Sequence, residues 1–216
     1  MSENMGLSFS YGNYLQGITS DMEGKLQAFK EVFLEWNEKI NLISRKDTDA
    51  FEVKHVLHSL AIARFIRFYP DARVLDLGTG GGFPGIPLAI AFPEVSFTLV
   101  DSIEKKMKAV QDMVNRLELS NVKVVRGRVE ELPGPYDYVV SRAVAPMEEL
   151  VQWTRKQLVS GQKGSLPNGW IVLKGGDLKE ELSLFRKEVE LQPLREWWKD
   201  EFFDTKVLVY LARQII

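Results

Sequence analysis

Apolar positions along the chain change their period once. From Leu26 to Ile40 they recur at helical spacing (Leu26, Phe29, Phe33, Leu34, Trp36, Ile40), and a second helical stretch runs from Phe51 to Phe68. Between them the polar segment NLISRKDTD offers Asp47 or Thr48 as a helix cap. From Arg73 onward short apolar runs alternate with helical stretches: RVLDL, a helix from Gly85, SFTLVD, a helix from Ile103 to Leu117, VKVVRG, YDYVVS, a helix from Met147 to Leu158, and WIVLKG. These runs are continuously apolar, which suits strands covered on both faces in a parallel sheet. A helix over 178–190 and a final strand, KVLVYLAR, complete the expected order. The pattern predicts an α/β chain with a mainly parallel, doubly wound, Rossmann-like sheet. A helical extension over 1–70 precedes one compact unit over 71–216. Ligands of such sheets sit beyond the carboxyl ends of the strands, which directs attention to Gly78, Asp101, Arg126, Ser141 and Lys174.

Composition narrows the function. The 216 residues suit one domain with an extension. With 28 Lys+Arg against 30 Asp+Glu, overall charge cannot coat nucleic acid, although local basic patches stay open. The absence of cysteine removes disulfides, thiolate zinc sites, iron–sulfur clusters and a cysteine nucleophile. The amino terminus lacks the charged flank and apolar core of a signal peptide, and runs such as 86–92 are far short of the ~20 residues a membrane helix needs. A cytoplasmic protein with no membrane partner is expected.

The strongest local signal is LDLGTGGGFPGIPLAI, a strand running through glycines into a helix. Gly80 to Gly85 match G-x-G-x-x-G, and Asp101 ends the next strand, which taken alone points to a dinucleotide. Asp76 speaks against that: a carboxylate just before the first glycine repels a pyrophosphate and favours a cation. S-adenosylmethionine carries an ammonium and a sulfonium and no phosphate, so Asp76, Gly78, Gly80 and Asp101 are read as its binding residues, Asp101 holding the ribose hydroxyls. A nucleotide site and a turn that holds no ligand remain open alternatives.

The same loop, followed by LVDSIEKKMKAV, GRVEEL, VVSRAVAP and WIVLKGG and preceded by WNEKINLIS and KHVLHS, resembles the glucose-inhibited division protein B family from about Trp36 to Gly176. The resemblance implies an S-adenosylmethionine-dependent methyltransferase acting on a guanine N7 of 16S rRNA. Its partner would be that RNA or the small ribosomal subunit, and the protein a monomer without metal. It implies that Gly78 and Phe83 line the methionine and ribose side, that Val129 and Glu130 flank the adenine, and that Arg142 reaches the cofactor at the cleft mouth. Asn41, Arg142 and Lys174 are assigned by it to the RNA target. Many members carry aspartate where this chain has His58, so no role is carried over to that position.

The chemistry agrees with what is missing. Guanine N7 has an exposed lone pair and no proton to remove, so positioning and electrostatics suffice and no catalytic base is assigned. Without cysteine the covalent route of pyrimidine C5 methylation is closed, and SRAVAP stands where exocyclic-amine methyltransferases carry N/D-P-P-Y/F. Arg142 or Lys174 would match guanine O6 and N7. His55 and His58, with Glu52, form half of a metal motif without a second half, and read as a polar helix edge. Phe29, Phe33 and Trp36 read as a core stripe; Lys105, Lys106 and Lys108 as a solvated face; Lys39, Arg45, Lys46 and Lys54 as cations near the NLIS loop that meet phosphate. The alternatives are a methyltransferase for another RNA base or a small molecule, and a non-catalytic nucleotide-binding module.

Overall fold

A computed structural model describes residues 9–142 and 144–215, apart from the side chain of Arg45, which lies outside the described part. Helix α1 (Ser20–Ile40) starts where the Thr19 side chain accepts the Met22 N–H. A 3-10 segment, Arg45–Ala50, is capped by Ser44 and leads into a π-helical turn, Glu52–Leu57, that continues as α2 (His58–Phe65). The cap expected of Asp47 or Thr48 therefore falls to Ser44, while Asp47 pairs with Lys54.

Then come β1 (Arg73–Leu77), α3 (Gly85–Ala91), β2 (Ser96–Asp101), α4 (Glu104–Arg116), β3 (Val122–Arg126), β4 (Tyr138–Arg142), α5 (Met147–Thr154), β5 (Gly169–Gly175), β6 (Val189–Pro193) and β7 (Lys206–Ala212). They form one seven-stranded sheet in the order β3-β2-β1-β4-β5-β7-β6. The first five strands run parallel and β7 lies antiparallel between β5 and β6. Strand order reverses between β1 and β4, and the crevice above that point is where an open α/β sheet binds its ligand.

Successive residues of each strand point to opposite faces. Val74, Phe97, Leu99 and Val140 join Phe29, Phe33, Leu60 and Ile86 in one apolar layer, so α1 and α2 share a core with α3 and α4. Leu75, Leu77, Val139 and Val172 pack on the other face with Leu150, Val151 and Leu182. Phe29 and Phe33 are fully buried, while Trp36 is half-buried at the edge of this layer and donates from Nε1 to Asp112 Oδ2 (2.8 Å).

One expected element is different. The stretch 178–190 is not a helix but a series of turns with a short 3-10 piece, Ser183–Phe185, running into β6. Leu178 and Leu182 keep the helical spacing and are buried, but most of the turn bonds tighten to i→i+3, and β7 takes Val189 and Glu190 as an edge strand. Tertiary pairing overrides the local preference.

Candidate active site

The turn after β1 brings the glycines under the switch point. Gly78 has φ +68°, and a Cβ there would lie 2.4 Å from the Val144 side chain, so only glycine fits. Asp76 lies on β1 with its side chain fully buried beneath the loop, and the Gly85 N–H donates to its Oδ2 (2.8 Å). Burial pushes its carboxyl up to about 7, against the pull of Thr79, the Gly85 N–H and the Arg142 charge. Its other oxygen, Oδ1, is buried without a partner.

These contacts separate the two ligand readings. A phosphate needs free N–H groups at the start of α3. The Gly85 N–H is held by Asp76, those of Ile86 and Leu88 by the Gly82 and Pro84 carbonyls, and Pro87 has none. The Gly80 N–H donates to Asp101 Oδ2 (3.1 Å), while Asp101 Oδ1 accepts from Ile103 N (2.9 Å). Two carboxylates occupy the donors a pyrophosphate would use. An orphaned carboxyl oxygen below the loop and a carboxylate at the end of β2 fit a ligand with cationic groups and a ribose diol.

The cleft has two halves that meet at Gly78, Asp101 and Val144. One, of about 320 Å³, is lined by Val129, Glu130, Trp153 and Ser102. The other, of about 330 Å³, is lined by Leu42, Ile43, Gly80, Phe83, Lys106 and Arg142. A larger hollow of about 880 Å³ borders Tyr69 and Glu94, at the amino ends of β1 and β2, the wrong end of the sheet for this chemistry.

Arg142 enters from the end of β4. Its guanidinium lies 4.6 Å from the Phe83 ring centroid, one N–H reaches the Lys54 carbonyl (3.4 Å) and another faces His55 Nδ1 (3.2 Å). A guanidinium only donates, so His55 Nδ1 accepts and its proton sits on Nε2. Burial, with the Arg142 charge second, lowers His55 to about 3 and keeps it neutral. Burial brings Arg142 itself down to about 10, still charged at neutral pH.

The family model for GidB, rRNA small subunit methyltransferase G, matches residues 22–201. The chain belongs to the GidB family. It is 49% identical to the ribosomal RNA small subunit methyltransferase G of Flavobacterium johnsoniae over 198 residues, covering 92% of this chain and 94% of the relative. To that of Bacteroides fragilis it is 46% identical over 199 residues, covering 92% and 97%. Among solved structures, a SAM-dependent O-methyltransferase from Thermotoga maritima superposes with a TM-score of 0.54 at 14% identity, covering 71% of this chain and 64% of that one. A Geobacter metallireducens precorrin-6y C5,15-methyltransferase gives 0.52 at 16% identity, covering 80% and 90%. Sheet, helices and cleft thus have the S-adenosylmethionine-dependent methyltransferase fold.

Within this GidB-family cleft the expected residues divide. Gly78, Gly80, Phe83, Asp101, Val129, Glu130 and Arg142 line one half or the other, and Asp76 lies beneath. Lys174 is not among the residues lining either half of the cleft. It is 7% exposed, its Nζ donates to the Ala145 carbonyl, and it pairs with Glu181 Oε1 at 2.7 Å. Asn41 ends α1 in a left-handed conformation (φ 51°) outside the cleft wall, which Leu42 and Ile43 form instead. Arg126 pairs with Glu104, and Ser141 Oγ donates to the Leu77 carbonyl.

Sequence reasoning missed Asn37. Buried at the last turn of α1, it accepts the Ile43 N–H on Oδ1 (2.8 Å) and the Asn41 N–H on its carbonyl, shaping the NLIS loop. The only local hint was an asparagine inside a helix four residues before an asparagine at its end. Val144, two residues after Arg142, was missed as a cleft element, and His55, read as a polar helix edge, meets Arg142 from a remote segment. Of the cations, Lys39 lies over the Trp36 ring, Lys54 pairs with Asp47, Lys108 with Glu104, and Lys106 lines the cleft.

The metal reading of Glu52, His55 and His58 has no geometry behind it. Glu52 pairs with Lys30, and among the described residues no group of His, Asp and Glu converges as a metal site. His58 is buried edge-on to Phe202 (5.3 Å), with Nε2 unpartnered, and burial holds its pKa well below 6.5. Both histidines stay neutral in the folded chain while the unfolded chain protonates them below about pH 6.5, so their stabilisation is lost as pH falls. By pH 5 His55 alone removes about 2 kcal/mol. Thermal melts should show the wild-type chain losing stability from pH 7 to 5 and His58→Leu losing less; equal losses would contradict the assignment.

Proposed function

We propose that the chain transfers the methyl of S-adenosylmethionine to N7 of a guanine in 16S rRNA of the small ribosomal subunit. The observation that carries this reading is the glycine loop whose N–H groups are taken by Asp76 and Asp101, with Arg142 at its mouth. It supports a cationic cofactor and a guanine beside a guanidinium. Membership of an rRNA small subunit methyltransferase family supplies the substrate class.

S-adenosylmethionine, when bound, supplies a methyl activated by its sulfonium; the N7–carbon bond forms as the sulfur–carbon bond breaks, and the positive charge passes to the guanine ring. The protein's part is to align and exclude water. Asp101, already fixed by two N–H groups, accepts from the ribose hydroxyls. Val129 and Glu130 border the adenine. Arg142 commits two of its five N–H groups to Lys54 and His55 and directs others to guanine O6, leaving N7 free to attack in line. No residue has to take a proton. The protein acts as a monomer in the cytoplasm.

The test is transfer of labelled methyl to small-subunit RNA from cells lacking this gene, followed by strand cleavage specific for 7-methylguanine. One labelled guanine in 16S rRNA is expected, and naked RNA and intact subunits run in parallel identify the preferred form. Label at another base would refute the target, and cofactor binding without turnover on any RNA would favour a non-catalytic module.

A further inference from the structure

Lys174, Glu181 and the start of α5 form a bracket around the segment that covers the middle of the cleft. Lys174 Nζ, at the carboxyl end of β5, donates to the Ala145 carbonyl and pairs with Glu181 Oε1 (2.7 Å). The same Oε1 accepts the Met147 N–H (3.0 Å), the first of α5, where a carboxylate is favoured by the helix dipole. The segment is thus held on both sides of Pro146, at the Ala145 carbonyl and at the Met147 N–H. The held segment starts directly after Val144. Val144 is 40% exposed, lines both halves of the cleft, and packs against Gly78. Glu181 is 24% exposed, and its flanks Leu178 and Leu182 are anchored in the core.

We propose that Glu181 is a positioning residue for cofactor binding. With Lys174 it sets the height of Val144 over the waist of the cleft, where the two halves of S-adenosylmethionine join. The inference rests on the reading of the cleft as the cofactor site. It gives Lys174 a task inside the protein in place of a contact with RNA, and gives the turns over 178–185 a reason to depart from a helix: Glu181 must reach Met147 and Lys174 together.

Calorimetric titration of S-adenosylmethionine into wild type, Glu181→Ala, Glu181→Gln, Val144→Ala and the double variant tests this, with thermal melts alongside. Glu181→Ala should weaken binding about tenfold, the loss of roughly one hydrogen-bonded charge. Glu181→Gln, which keeps an acceptor for Met147, should recover at least a third of the lost affinity on a logarithmic scale. Val144→Ala should remove most of the effect of Glu181→Ala, although the two side chains share no hydrogen bond, because one acts through the other. Additive effects of the two single variants would overturn the proposal, as would wild-type affinity in Glu181→Ala. Should Glu181→Ala fail to fold, Glu181→Gln in the wild-type and Val144→Ala backgrounds gives the same comparison. A wild-type chain that binds no S-adenosylmethionine would instead sink the reading of the cleft.

Discussion

Arg142→Ala is expected to lower kcat for methyl transfer by about 100- to 1,000-fold at saturating cofactor, the cost typical of removing one preorganised electrostatic contact. The guanidinium is half-buried at the cleft, 4.6 Å from the Phe83 ring centroid, and bonded to His55 Nδ1 and the Lys54 carbonyl. Its removal leaves the His55 acceptor unpaired and takes away the charge that restrains the upward shift of Asp76. An ammonium is a point charge without a plane or a fork, so Arg142→Lys should not restore activity. Steady-state transfer, with melts to verify folding, decides the matter. A lysine variant retaining more than about a third of wild-type kcat would show that charge alone matters here.

The second large effect is expected at Asp101. Its two oxygens fix the Gly80 and Ile103 N–H groups, tying the glycine loop to the entry of α4, and the remaining lone pairs face the cleft where both halves meet. Asp101→Ala frees both N–H groups and deletes the acceptor proposed for the ribose hydroxyls. Charge-assisted bonds of this kind contribute about 1.5–3 kcal/mol each, so cofactor affinity should fall about 100-fold. Asp101→Asn, isosteric but uncharged, should lie between. Calorimetry on the three proteins measures it, and an alanine variant within about fivefold of wild type would remove Asp101 from the ribose site.

How much of this was legible in sequence depends on the kind of information each residue carries. Five largely apolar runs suited strands covered on both faces, and all five are strands of the parallel part of the sheet, but β3 lies at its edge with every residue half-buried or exposed. β6 was hidden because VELQP is an edge strand whose residues are all half-buried or exposed, so no apolar run marks it. The glycine loop was read correctly as the centre of the cleft because its spacing is itself the structure. Its ligand was read from Asp76 as S-adenosylmethionine, and the acceptors found for the Gly80, Gly85 and Ile86 N–H groups count against the phosphate alternative.

Lys174 marks the limit most clearly. Its place at the end of β5 was correct, but a strand end faces both cleft and neighbours, and the sequence around it does not say which. Glu181 answered that from a turn seven residues on, together with Ala145 and Met147 from before β5. Asn41 is placed differently, exposed just outside a wall that Leu42 and Ile43 form, because Asn37 turns the loop. The sequence by itself determined the layers, the switch point and the residues around the glycine loop, because burial periodicity and turn chemistry are local. The tertiary structure alone decided which charges face the cleft and which brace it, because a charged side chain takes its role from partners that the fold brings in from elsewhere.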